Sequence, residues 1–192
     1  MNEESALLEA LRRGDTHAYA AFFDANVDRV FRLAVNMLKN DADAEDIVQA
    51  TFLSAFEAID HFEQRGKLST WLYTIAYRHA LQLLRQRQTS EQLPEDDESD
   101  LSITYFIDWS ARPDAQALNH EAQEQLRTAI AQLSPRLRAA FVLRDIEGLS
   151  TAECAQIQSI SEAACKVRLH RARLALRERL SAYFNDQEEA EA

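Results

Sequence analysis

The segment Gly148–Leu180, GLSTAECAQIQSISEAACKVRLHRARLALRERL, constrains the fold more than any other part of the chain. Ser150 followed three residues later by Glu153 is a capping box, in which each side chain satisfies a backbone N–H of the opening turn. The helix it opens is predicted to run to about Gln158. Residues Ser159–Ser161 interrupt it, and Ser161 can cap a second helix. In that helix Cys165, Leu169, Ala172, Leu176 and Leu180 recur at spacings of four, three, four and four, which is one apolar face. The other faces carry Lys166, Arg168, Arg171, Arg173, Arg177 and Arg179 against Glu162 and Glu178. Two short helices about a tight turn, the second of them basic, form a helix-turn-helix pattern. Such a second helix enters the major groove, where cations meet phosphates and base edges. The plain alternative is a solvated arginine-rich surface, and Ser159 stands where many such turns have glycine.

The rest of the chain reads as helix too. Only three Gly and three Pro occur in 192 residues, which points to an all-α protein. Residues 3–13 form a short helix with Leu7, Leu8 and Leu11 on one side and Gly14 as its stop. Asp15 or Thr16 caps a second helix that runs to about Lys39. The break KNDAD follows, and Asp43 is predicted to open a third helix with Ile47, Val48, Thr51, Phe52, Ala55, Phe56 and Ile59 on its apolar face. After a loop over 60–68, Ser69 or Thr70 is predicted to cap a fourth helix. Its inward side holds Trp71, Leu72, Ile75, Ala76, Ala80, Leu83 and Leu84, and Tyr73, Tyr77, Arg78, His79 and Arg85 are expected on other faces. Rings among cations suit single-stranded nucleic acid, since bases stack on rings while phosphates pair with arginine; an ordinary helix with tyrosines at the rim of the core fits equally well.

Residues 89–113 are acidic, hold Pro94 and Pro113, and mark a boundary; the apolar patch Ile103–Trp109 within them is expected to dock on a domain or a partner. A helix over 114–133 follows, and Ser134–Pro135 starts another that reaches toward Gly148. The expected layout is therefore two small helical domains, residues 1–88 and 114–184, joined by the acidic linker 89–113 and followed by an acidic tail, 185–192. Each is of a size that buries only a marginal core alone.

Charge sharpens the question of function. The net charge of −11 is poor for a protein that must find DNA unaided. The acid is unevenly placed: seven acidic residues and one base fall in 88–112, and four acids in the tail. Basic clusters remain in the predicted helices, so a larger partner that delivers the chain to DNA would resolve the conflict. Cys154 and Cys165 fall on apolar helix sides and read as small core hydrophobes. No CxxC or repeated ligand spacing suggests a metal, no nucleophile–base set or phosphate-binding glycine loop suggests an enzyme, and no cofactor is implied. No run of about 18 apolar residues suggests a membrane span, and the acidic start lacks a signal peptide's apolar core; a cytoplasmic location is expected.

Asp43–Arg85, DAEDIVQATFLSAFEAIDHFEQRGKLSTWLYTIAYRHALQLLR, resembles the extracytoplasmic-function (ECF, group IV) sigma factors of bacterial RNA polymerase. The stretch LSPRLRAAFVLRDIEGLSTAECAQIQSISEAACKVRLHRARLALRERL resembles their fourth region. The resemblance covers nearly the whole chain in the same domain order. It implies a sigma region 2 bundle followed by a region 4 helix-turn-helix, with core RNA polymerase and promoter DNA as partners. It also implies an anti-sigma factor, often membrane-anchored in the family. By the same resemblance Asp46, Gln49 and Phe52 meet the polymerase. Phe62, Gln64, Arg65 and Lys67 belong to the loop that captures a flipped base of the −10 element, and Thr70, Trp71, Tyr77 and Arg78 to its melting edge. Ala163, Ala164, Lys166, Val167, His170 and Arg171 match the positions that meet the −35 element. The chain departs from the family at Ala163-Ala164-Cys165 (usually Gly-Thr-Val), Gln158-Ser159 (usually Leu-Gly), Gln64 (often Gly) and Leu68 (often Phe), so promoter sequence is not carried over. A stand-alone helix-turn-helix regulator is the alternative. It would bind DNA without polymerase.

Overall fold

The structure, a computed structural model, describes residues 3–64, 66–88 and 120–190; Arg65 and the patch Ile103–Trp109 lie outside them. Among the described residues there is no strand. The elements are α1 (Glu3–Arg12), α2 (Thr16–Leu38), α3 (Asp41–Ala58) with a 3₁₀ turn at Ile59–His61, α4 (Leu68–Gln88), α5 (His120–Ala131), α6 (Pro135–Phe141) running into a π-helical turn at Val142–Ile146, α7 (Thr151–Gln158) and α8 (Glu162–Ala190). Helix α8 thus continues through most of the stretch expected to be a tail.

Local chemistry explains most of the boundaries. The Asp15 carboxylate accepts from the backbone N–H groups of His17 and Ala18 at 2.8 and 3.3 Å and so caps α2. Lys39, with φ +61°, turns left-handed and returns its N–H to the carbonyl of Val35. Helix α3 opens earlier than predicted, because the cap is Asn40, whose side chain accepts from Asp43 N–H at 3.0 Å. Helix α4 also opens early, at Leu68 rather than at a Ser69 or Thr70 cap. Its Leu68 N–H is taken by the carboxylate of Glu4, a cap delivered by α1 from across the fold.

Helices α1–α4 pack around Leu8, Leu11, Phe22, Val30, Leu33, Met37, Ile47, Phe52 and Leu72. This core does not stop at the N-terminal unit; it runs on through Ala139, Val142, Leu143, Leu149, Cys154, Ile157 and Cys165 of α6–α8. A second cluster, Ala129, Ile130, Leu133, Ala172 and Leu176, fixes α5 to α8. Two predicted placements are corrected here. Tyr73 and Tyr77, expected on outer faces of α4, are buried at 2 % and 4 % exposure, because α4 is covered on one side by α2 and α3 and on another by α6 and α7.

Arg138 ties the units together from within. Its buried guanidinium donates to the carbonyls of Ile130 (3.2 Å), Ala131 (2.6 Å) and Leu133 (2.8 Å) at the end of α5, and to Met37 (2.5 Å) near the end of α2. A helix end leaves such carbonyls short of backbone donors; that of Ile130 also accepts from Leu133 N–H at 3.1 Å.

Candidate nucleic-acid interface

Three surfaces gather the residues singled out in the sequence. The first is the outer face of α8. The capping box at Ser150 forms as predicted: Ser150 Oγ accepts from Glu153 N–H at 3.2 Å, and Glu153 Oε2 accepts from Ser150 N–H at 2.9 Å. Ser159 takes the left-handed turn with φ +57°, so serine does here what glycine does elsewhere. Ser161 Oγ accepts from Ala164 N–H at 3.1 Å and starts α8. Cys165, Leu169, Ala172 and Leu176 are buried, which rolls the opposite face outward. Ala163, Lys166 and His170 are exposed on it, with Ala164, Val167 and Arg171 half-buried alongside. The other arginines divide by role: Arg173 grips Asp145 with two bonds of 2.9 and 2.7 Å, Arg179 reaches Gln132, and Arg168 donates to Gln158 Oε1 at 3.2 Å. These hold the unit together, and no count of basic residues along α8 could have sorted them from the outward-facing set.

The second surface is the loop before α4 and the start of that helix. Phe62 is buried with its ring 5.2 Å from that of Trp71, and its carbonyl accepts from Arg12 Nη2 at 2.6 Å. Gln64 is exposed and left-handed, with φ +56°. Lys67 Nζ lies 2.8 Å from Glu153 Oε1 of α7. That contact, with the Ser150 bonds, holds the Glu153 carboxyl down at about 2. Thr70 and Tyr77 are buried, Trp71 is half-buried and Arg78 is exposed. Burial pushes the Tyr77 hydroxyl pKa up, against the pull of nearby Arg168, Arg136 and Arg85.

The third surface is on α3. Asp46 and Gln49 point outward, whereas Phe52 is buried among Phe22, Phe23 and Phe56 at ring distances of 6.2, 4.6 and 5.9 Å. Phe52 therefore supports this face from beneath. Leu53, at 59 % exposure, completes the outward row, four residues on from Gln49 and seven from Asp46. The sequence reading missed it, although its position off the apolar face was the available signal. Among the described residues no group of His, Cys, Asp and Glu is placed to hold a metal, and no helix is long and apolar enough to cross a membrane.

Comparison with known proteins bears on all three surfaces. Residues 22–90 match Sigma-70 region 2, and residues 123–176 match Sigma-70, region 4. The chain is 31 % identical over 176 residues to the ECF RNA polymerase sigma factor SigW of Bacillus subtilis (strain 168), covering 90 % of this chain and 94 % of that one. Its fold is similar to CnrH, solved in complex with the cytosolic domain of CnrY, with a TM-score of 0.70 at 21 % identity over 94 % of this chain and 99 % of the other. It is similar also to the sigma factor RpoE of Bartonella quintana, solved with the anti-sigma factor NepR, with a TM-score of 0.63 at 24 % identity over 85 % and 96 %. A helix with a basic outward face, an aromatic loop-and-helix edge and an outward row on α3 thus occur in a chain whose two halves match regions 2 and 4 in order, and the chain belongs to the ECF sigma factors of RNA polymerase.

Proposed function

We propose that this chain works in the cytoplasm as a dissociable initiation subunit of bacterial RNA polymerase, without a catalytic centre of its own. In this reading residues 1–88 form the domain that binds polymerase and the −10 element, 89–113 the linker, and 114–184 the domain that reads the −35 element. The observation that carries the promoter-reading assignment is the division of α8: its core residues face inward while Ala163, Ala164, Lys166, Val167, His170 and Arg171 share the open face. Lys166 and Arg171 supply the phosphate or guanine contacts, and Val167 and His170 contribute apolar and shape contacts. The loop Phe62–Lys67 with Trp71 and Arg78 takes the flipped base, where stacking and a pocket offset the cost of unpairing. Asp46, Gln49 and Leu53 dock on the polymerase, with Phe52 holding their helix in place. An anti-sigma factor controls the chain; the similar fold of RpoE, solved with NepR, supports this.

Run-off transcription with bacterial core polymerase tests the reading. Initiation at discrete promoters only when both components are present is the expected result. Binding of the free chain to duplex DNA with no initiation would point instead to a stand-alone regulator. The net charge of −11 argues against that outcome.

A further inference from the structure

We infer that Glu4 and Arg12 of α1 are positioning residues for −10 recognition: they clamp the two ends of the loop before α4 and so hold the residues that take the flipped base. This deepens the −10 reading proposed above and rests on it. The loop joins two helical ends of opposite need. The 3₁₀ turn Ile59–His61 leaves carbonyls without helical donors, and α4 opens with backbone N–H groups that have no partner in their own helix. Helix α1 serves both. Arg12 Nη2 donates to the Phe62 carbonyl at 2.6 Å and to that of Asp60 at 3.5 Å, and the Glu4 carboxylate accepts from Leu68 N–H. Each charge also sits at the end of α1 that favours it, the acid in the first turn and the base in the last.

Glu4, Leu8 and Arg12 follow at intervals of four, which places them in one row along α1. Eight residues of helix span about 12 Å. Leu8, in the middle of the row, is 1 % exposed within the core, so packing fixes where the two charged groups stand. Phe62 and Leu68 are buried, while Glu63, Gln64, Gly66 and Lys67 are exposed between them. The ends of the loop are thus held and its middle is presented. A loop that must be ordered when a base arrives loses binding energy to that ordering, and a loop ordered beforehand does not. The C-terminal unit makes contacts here as well. Glu153 Oε1 lies 2.8 Å from Lys67 Nζ. The Glu147 carboxylate accepts from Arg32 Nε and Nη2 at 2.8 and 3.1 Å and from the Tyr73 hydroxyl at 2.8 Å, with Arg29 Nε 3.7 Å away. Those contacts join the two units. The contacts from α1 lie wholly within the N-terminal unit, to which the −10 element is assigned, and neither Glu4 nor Arg12 falls in the 22–90 stretch that matches region 2.

The test uses core polymerase with the full chain as Glu4→Ala and Arg12→Ala, and as the conservative Glu4→Gln and Arg12→Lys, which keep an acceptor at one end and a donor at the other. Arg12 is exposed and Glu4 half-buried, and Glu9→Ala and Arg13→Ala, at exposed positions of the same segment, control for the change in charge. Initiation is scored on two promoter pools, one randomised in the −10 element and one in the −35 element, beside binding to core polymerase and helical circular dichroism. Both alanine variants are expected to narrow the ratio between preferred and disfavoured −10 sequences about tenfold, with −35 preference and polymerase binding unchanged. The conservative variants are expected to restore most of that ratio, and the controls to keep all of it. Folded alanine variants with an unchanged −10 ratio would overturn the inference, as would a loss spread equally over both pools, the mark of a merely structural role. Gln64→Ala and Trp71→Ala in the same −10 pool separate the two levels. If they flatten the ratio while the α1 variants do not, the positioning role alone fails; if none of the four does, the −10 assignment fails with it.

Discussion

Arg138 brings one cation to the ends of two helices from different units. Burial lowers its pKa to about 10, so it remains charged near neutral pH, and its four bonds go to backbone carbonyls instead of a carboxylate. Replacement by Met would fill the space and remove all four bonds, leaving the Ile130 carbonyl paired with Leu133 N–H alone. Arg138→Met is expected to cost about 3 kcal/mol, read from the shift in a urea unfolding midpoint at constant slope. Nothing in the local sequence singles out Arg138; its role depends on Met37, which is remote in the chain. Ser159 is a similar case. The break in the helical pattern was legible, but the left-handed turn was not, because that conformation normally announces itself as glycine.

Helices α7 and α3 carry the expectations that belong to single elements. Glu153 is depressed from 4.5 to about 2 by Lys67 and by the Ser150 cap. Its folded value lies below its unfolded one, so its contribution is fully present above about pH 4.5 and is lost as pH falls toward 2. Exchange of α7 amides is expected to rise across that acid window, and Glu153→Gln is expected to flatten the rise. On α3, Leu53→Asp changes an exposed side chain and is expected to weaken binding to core polymerase about tenfold or more, with the thermal midpoint little moved. Most helices could be read from period and caps, as Asp15, Ser150 and Ser161 show. The starts of α3 and α4 were misplaced for different reasons: Asn40 is an ordinary cap that was passed over, whereas Leu68 is capped by Glu4, which no local window contains. Tyr73 and Tyr77 were misplaced because α4 is buried on two sides, and a single-stripe reading allows only one.

At the scale of the whole molecule, a core that runs from Leu8 to Cys165 makes the two units stabilise each other. Heating the free chain is expected to give one calorimetric transition with matching van't Hoff and calorimetric enthalpies; two separated transitions would contradict the shared core. The division into two halves was legible in the sequence. The seam between them was not, since Tyr73 read as an outer-face residue and no local pattern singles out Glu147 or the arginines of α2 until α2, α4 and the π-helical turn are brought together. That turn has a further consequence. A π-helical turn is an α-helix with one residue too many, and here the Glu147 N–H reaches back to Val142 at 2.9 Å across the widened ring. Loss of a single codon within Val142–Ile146 would restore ordinary helical spacing and carry Glu147 about 100° around the axis, away from Arg29, Arg32 and Tyr73. The Glu147 contact between the two units is thus a trait that one insertion or deletion can add or remove.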